Sequence, residues 1–136
     1  MTSVLSSVAN NLEMEKAIET NNTLLFALCL EKLEDIDADL SDRSNLPALH
    51  YACKYDRALM VDMLLDRGAK TTHEQNFSAL EIAAGNGCYD VVKLLLERNV
   101  NPNEEGAKTG WTALRLAHFY GYKECVALLL QAGAHD

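Results

Sequence analysis

Histidine and cysteine are the side chains here that could bind a metal or attack a substrate near neutral pH. The cysteines are Cys29, Cys53, Cys88 and Cys125, and the histidines are His50, His73, His118 and His135. His50 and Cys53 stand three apart, which on a helix puts both on one face, as a metal pair needs. Two ligands do not complete a zinc site, and no C-x-x-C or H-E-x-x-H supplies more. No Gly-rich phosphate loop or G-x-S-x-G occurs either. Carboxylates crowd at Glu31, Glu34, Asp35, Asp37, Asp39 and Asp42. They lack the central glycine and terminal glutamate of an EF-hand calcium loop. No catalytic residue, cofactor or metal is therefore expected, and the chain is not expected to be an enzyme. The acidic run reads first as a solvated loop; its functional reading is the steering of a basic partner.

The elements that could position any site must fit a chain of 136 residues, 49% hydrophobic and 24% charged, with a formal net charge of −8. That length suits one domain, and that composition suits a folded one. The acidic balance argues against nucleic acid, whose phosphates need a basic face, and is compatible with a basic protein partner. No run approaches the roughly 20 apolar residues that span a bilayer. The stretch Met1 to Val8 lacks the basic and long apolar regions of a signal peptide. The cysteines sit in apolar contexts and read as reduced core residues, which points to a cytoplasmic or nuclear location.

Three segments repeat the same sequence of events: NLPALHYACKYDRALMVDMLLDRGA from Asn45 to Ala69, NFSALEIAAGNGCYDVVKLLLERNV from Asn76 to Val100, and GWTALRLAHFYGYKECVALLLQAGA from Gly110 to Ala134. They align without a gap, so length varies only in the connecting loops. In each, an Ala-Leu step opens a short helix, with Leu49, Leu80 and Leu114 in its first turn. Ala52, Ala83 and Ala117 follow on the same face, small enough for neighbouring helices to approach closely. Ser78 and Thr112 stand where a hydroxyl caps the helix, and Pro47 takes that place in the first segment. A second helix carries more apolar residues than one face needs, as in Val91, Val92, Leu94, Leu95 and Leu96. Such helices are expected to be buried on two sides.

Three columns hold only Gly, Asn or Asp: Asn45/Asn76/Gly110, Asp56/Gly87/Gly121 and Gly68/Asn99/Gly133. These residues tolerate left-handed backbone, so the columns predict a loop tip, an inter-helix turn and a helix stop.

The pattern resembles the ankyrin repeat, a unit of about 33 residues with a T-P-L-H-x-A-A first helix and a V-x-x-L-L second helix. Leu49-His50-Tyr51-Ala52 and Thr112-Ala113-Leu114 match the first helix; Val92 to Leu96 and Val126 to Leu130 match the second. Trp111 after Gly110 is a frequent choice in that family. Glu81 and Arg115 replace the motif histidine that His50 keeps, so hairpin hydrogen bonding should differ in those repeats. The loop between the first two segments is short for the family.

The resemblance implies an all-α solenoid of stacked helix-turn-helix units with projecting hairpin loops. Its parts would be a flexible N-terminus (1–11), a degenerate capping repeat (12–41), and repeats at 42–73, 74–106 and 107–136. Glu13, Glu15, Lys16 and Glu19 would give the cap a solvent-facing charged side. The last helix shows no comparable polar side, so weak self-association or docking through the C-terminal repeat is the alternative to a monomer. His118 stands where the family prefers a small residue, as bulk is tolerated where no repeat stacks beyond. Asn101 and Asn103 lie in the loop type where some ankyrin asparagines are hydroxylated, though their surroundings match that pattern poorly.

The family mostly binds proteins through its loops and first helices. By that resemblance the contact residues are an apolar row, Leu46, Phe77 and Trp111, with the first-helix ends Lys54, Tyr55, Phe119 and Tyr120. A protein-binding adaptor or stoichiometric inhibitor is the function implied. The alternative is an assembly subunit, or part of a longer array, docking through its last helix.

Overall fold

A computed structural model describes residues 4–73, 75–106 and 110–135. Among them are eight helices and no strand: α1 (Val4–Thr20), α2 (Thr23–Lys32), α3 (Ala48–Lys54), α4 (Ala58–Asp66), α5 (Ala79–Gly85), α6 (Tyr89–Glu97), α7 (Ala113–Phe119) and α8 (Lys123–Gln131). Extended pairing is limited to one antiparallel bridge between Asp39 and Pro47. The chain divides into two compact units, residues 1–69 and 70–136.

The helices form pairs because left-handed residues reverse the chain between them. Asn21, Asp56, Gly87 and Gly121 all have positive φ. The residue after each donates its N–H to an alanine carbonyl: Asn22 to Ala17 (2.8 Å), Arg57 to Ala52 (3.0 Å), Cys88 to Ala83 (2.9 Å) and Tyr122 to Ala117 (2.9 Å). This is the Schellman closure, which satisfies carbonyls that the helix end would otherwise orphan. Gly68 and Asn99 end α4 and α6 in the same way, with Ala69 N–H on Leu64 (3.1 Å) and Val100 N–H on Leu95 (3.0 Å). Of the nine residues in the expected left-handed columns, Asn76 alone lacks positive φ. Its side chain instead accepts the Phe77 N–H at 2.9 Å, as the shorter connection there takes a different path.

Side-chain caps start α2, α5 and α7 through Asn22, Ser78 and Thr112, and Ser78 forms a full capping box with Glu81. Pro47 precedes α3 without a side-chain hydrogen bond.

In the first unit α1 packs on α2 and α3, and α3 on α4. Met14, Ala17, Ile18, Phe26, Leu49, Met60 and Leu64 form its core. In the second, α5 packs on α6 and α7, and α8 on α6 and α7. Leu80, Ala83, Val91, Val92, Leu95, Ala117 and Leu129 are buried there. Burying a leucine such as Leu64 or Leu95 contributes about 2 kcal/mol, so these stripes hold each pair of helices together.

Of the segment 1–11 expected as a flexible N-terminus, residues 4–11 belong to α1 and residues 1–3 lie outside the described residues. One expectation about this region needs correction. The α1 face carrying Glu15 is not a solvent-facing cap: Glu15 is 1% exposed, while Glu13 and Lys16 are exposed. Glu15 accepts hydrogen bonds from Ser41 and from Arg43 (2.9 Å). Arg43 also reaches Glu19 at 3.0 Å, and Tyr51 donates to the same carboxylate. These contacts tie α1 to the loop before α3.

A candidate protein-binding surface

The second unit carries four of the five aromatic positions singled out by the repeat pattern, Phe77, Trp111, Phe119 and Tyr120, and the first carries Tyr55. Phe77 and Trp111 precede α5 and α7 at equivalent points, and those helices lie side by side. Phe77, Trp111, Leu116, Phe119 and Tyr120 line one open groove of about 200 Å³. Trp111 and Phe119 meet edge to face with centroids 5.4 Å apart, Phe119 and Tyr120 likewise at 5.0 Å, and Tyr122 follows at 6.3 Å. The guanidinium of Arg115 sits 5.9 Å from the Trp111 ring centroid, near enough for a cation–π contact. Phe119 remains 66% exposed and Tyr120 57%. The rings therefore hold one another in place while presenting their outer surfaces to water. Edge-to-face geometry is the arrangement that the ring quadrupoles favour, and it orders these side chains at the surface.

Leu46 does not join such a row. It is buried, and its carbonyl accepts the Leu40 N–H at 2.9 Å. The Leu40–Leu46 hydrogen bond and this burial hold the side chain inward, so the expectation that it is an exposed contact is corrected. Lys54 and Tyr55 lie in the first unit, Lys54 exposed and Tyr55 half-buried against Tyr51. Sequence reasoning passed over Tyr122 and Leu116. Tyr122 could have been found, because Phe119, Tyr120 and Tyr122 already form an aromatic run around Gly121. The Tyr122 ring lies over Gly87, where a Cβ would come within 2.6 Å of it.

The loop beside this surface is anchored by the residue that replaces the motif histidine. Glu81 is 1% exposed, and its Oε1 accepts the N–H groups of Ser78 and Gly106, both at 2.8 Å. Burial pushes the Glu81 carboxyl above the usual range, the Ser78 and Gly106 hydrogen bonds oppose that, and Glu105 pushes it up further. Glu104 is also raised, by burial and by Glu81, with the Thr71 hydroxyl opposing. A Cβ on Gly106 would lie 2.4 Å from Glu81 Oε1 and 2.7 Å from Phe77 Cα, so only glycine lets the two loops approach this closely. Arg115, the other replacement, is exposed and serves Trp111.

The remaining chemistry-bearing residues are scattered or enclosed. His50 and Cys53 are both fully buried. Among the described residues no three histidine, cysteine or acidic side chains converge as a metal site would require. Asn103 donates to the Gly133 carbonyl (3.3 Å) and accepts from His135 N–H (2.9 Å). His118 is exposed near the end of α7. Glu31, Glu34, Asp35, Asp39 and Asp42 are exposed, and Asp37 partly so. No described helix is long and apolar enough to cross a membrane.

Comparison with known proteins agrees with this architecture. A family model described as ankyrin repeats (3 copies) matches residues 14–106 and 72–136. The chain is 29% identical over 108 residues to ankyrin repeat and SAM domain-containing protein 6 of Mus musculus, covering 77% of the chain and 12% of that protein. It is 38% identical over 96 residues to inversin of Canis lupus familiaris, covering 68% of the chain and 9% of inversin. It is 30% identical over 142 residues to ankyrin repeat, SAM and basic leucine zipper domain-containing protein 1 of Dasypus novemcinctus, covering 98% of the chain and 29% of that protein. The chain thus spans under a third of the length of each of these relatives. Ankyrin repeats are in general protein–protein interaction modules, and their family is generally non-enzymatic. Paired helices closed on recurrent alanines, reversed at left-handed Asn, Asp or Gly and matched by the family model over most of the chain place this protein in the ankyrin-repeat family.

Proposed function

We propose that the protein is a non-catalytic adaptor or stoichiometric inhibitor that binds a protein partner through the aromatic surface of its second unit. The observation that carries this reading is the mutually braced cluster of half-buried Trp111 with exposed Phe119 and Tyr120. Large aromatic side chains that are pre-ordered yet open to water lose little entropy on binding and bury much area, as interface hot spots do. Phe77, Leu116 and Tyr122 extend the surface, and Lys54 and Tyr55 are the first unit's candidate contacts. Binding would occlude or tether the partner without bond chemistry, in the cytoplasm or nucleus.

The test is quantitative affinity capture from lysate by wild type, Phe119→Ala and Trp111→Ala, beside their melting temperatures. The expected result is loss of the same captured protein from both variants with the melting temperature of Phe119→Ala unchanged. Unchanged capture with a lower melting temperature would mean that the rings serve only stability.

A second reading rests on α8, where Leu130 is 56% exposed. It makes the chain an assembly subunit, or part of a longer array, docking through that helix. Leu130→Glu would then abolish any concentration-dependent sedimentation and leave capture by the aromatic surface intact.

A further inference from the structure

Several large apolar side chains of the N-terminal helix pair are open to water. Leu24 is 72% exposed, Leu28 52%, Leu12 48% and Val8 46%. Between α1 and α2 runs an open groove of about 480 Å³, more than twice the aromatic groove, with Ala9, Leu25, Leu28 and Cys29 along it. Asn10 holds the two helices at this point by donating to the Cys29 carbonyl at 3.0 Å. Leu25, Leu28 and Cys29 follow the i, i+3, i+4 spacing of one helix face, and the groove between two packed helices accepts the side-chain ridge of a third.

Charge selects what that third element would be. Glu13 and Glu34 line the groove, with Lys32 the one cation beside them. Exposed Glu31 and Asp35 stand next to it in sequence. A second copy of the chain would bring the same acidic rim and a further net charge of −8, so like charges oppose self-pairing here. We infer that this groove is a docking site for an amphipathic helix of a partner protein. The helix is apolar where it meets Leu25, Leu28 and Cys29, and carries lysine or arginine where it passes Glu13 and Glu34. This is the helix-in-groove mode, in which apolar anchors supply affinity and the charged rim supplies orientation and encounter rate. It goes beyond the aromatic surface and needs none of its residues.

The test uses the whole chain and a fluorescein-labelled peptide of leucine and lysine with leucines at i, i+3, i+4 and i+7. Comparison peptides scatter the same leucines or replace lysine by glutamate. Anisotropy titrations should show the periodic lysine peptide binding roughly tenfold more tightly than either comparison. Leu28→Lys should weaken it by a similar factor without changing the melting temperature, because Leu28 is half exposed. Glu13→Gln and Glu34→Gln should each weaken it a few-fold and flatten its dependence on salt. Phe119→Ala should leave it unchanged, and amide shifts on titration should map to α1 and α2. Equal binding of the scattered peptide, indifference to Leu28→Lys, or shifts confined to the second unit would each overturn the inference. So would a concentration-dependent dimer that Leu28→Lys abolishes, which would make a second copy the occupant.

Discussion

Glu15 and Glu81 are the same side chain buried to the same degree, 1% exposed, one in each unit. Each pins a helix to a loop far along the chain, Glu15 to Ser41 and Arg43 and Glu81 to Gly106. Their electrostatics run in opposite directions. Burial pushes the Glu15 carboxyl up, but hydrogen bonds from Ser41, Ser44 and Arg43 and the charge of Arg43 outweigh it, and the carboxyl ends below its ordinary range. Glu81 has only neutral N–H donors and acidic neighbours, so burial wins and it ends above that range. Among the described residues no hydrogen bond reaches Oε2 of Glu81 or Oε1 of Glu104. A buried carboxylate can therefore serve as a loop anchor with or without a counter-charge, but its pH dependence is set by which it has.

The strongest way to break the second anchor is Gly106→Ala. The new Cβ would meet Phe77 Cα and the Asn76 carbonyl, backbone atoms that cannot swing aside. A loss of about 3 kcal/mol is expected in denaturant unfolding followed by the fluorescence of Trp111, the sole tryptophan. Next, Glu15→Ala should cost about 2 kcal/mol, because it strips charged hydrogen bonds from a buried site. Glu81→Gln keeps the Oε1 acceptor and removes a desolvated charge, so at neutral pH it should shift stability by no more than about 1 kcal/mol. Equal penalties for these two substitutions would erase the distinction between the anchors.

Acidity separates them further. Glu81 has a folded pKa raised above the ordinary 4.5. Its contribution is full below pH 4.5 and is lost as pH rises through the raised value. Glu15 has a folded pKa lowered from 4.5. Its contribution is full above pH 4.5 and is lost as pH falls through the lowered value. Hydrogen exchange should accordingly show α1 amides losing protection in acid, while those around α5 lose it toward neutral pH. Parallel profiles in the two units would contradict this. The smallest expected effect is that of Phe119→Ala, within about 0.5 kcal/mol in the same Trp111-detected unfolding, since an exposed ring buries little on folding.

What the sequence made legible was local. Ala-Leu helix starts, the caps at Ser78 and Thr112 and the turns at Asp56, Gly87 and Gly121 each depend on residues a few positions apart. They stand where the pattern puts them. Ala17 and Asn21, within the expected degenerate repeat at 12–41, form the same closure as the clear ones. Long-range pairing was not legible. Nothing local marks Glu15 as buried, because its partners lie in a loop beyond α2. Glu81 stood out as a departure from the histidine, yet its bond to Gly106 depends on how two loops meet. For the candidate surface, the clustering of Phe77, Trp111, Phe119 and Tyr120 follows from repeat register. The inward turn of Leu46 and the bracing by Tyr122 follow from packing that no column displays.

The cysteines carry one more consequence. All four are buried and outside any disulfide, Cys29 and Cys53 in the first unit and Cys88 and Cys125 in the second. Cys29 lines the α1–α2 groove, but an alkylating reagent can reach Cys53 in the first unit and Cys88 and Cys125 in the second only when helices part, so each unit contains its own built-in clock for transient opening. Mass spectrometry of the labelled peptides would time the two clocks in a single sample of the native chain.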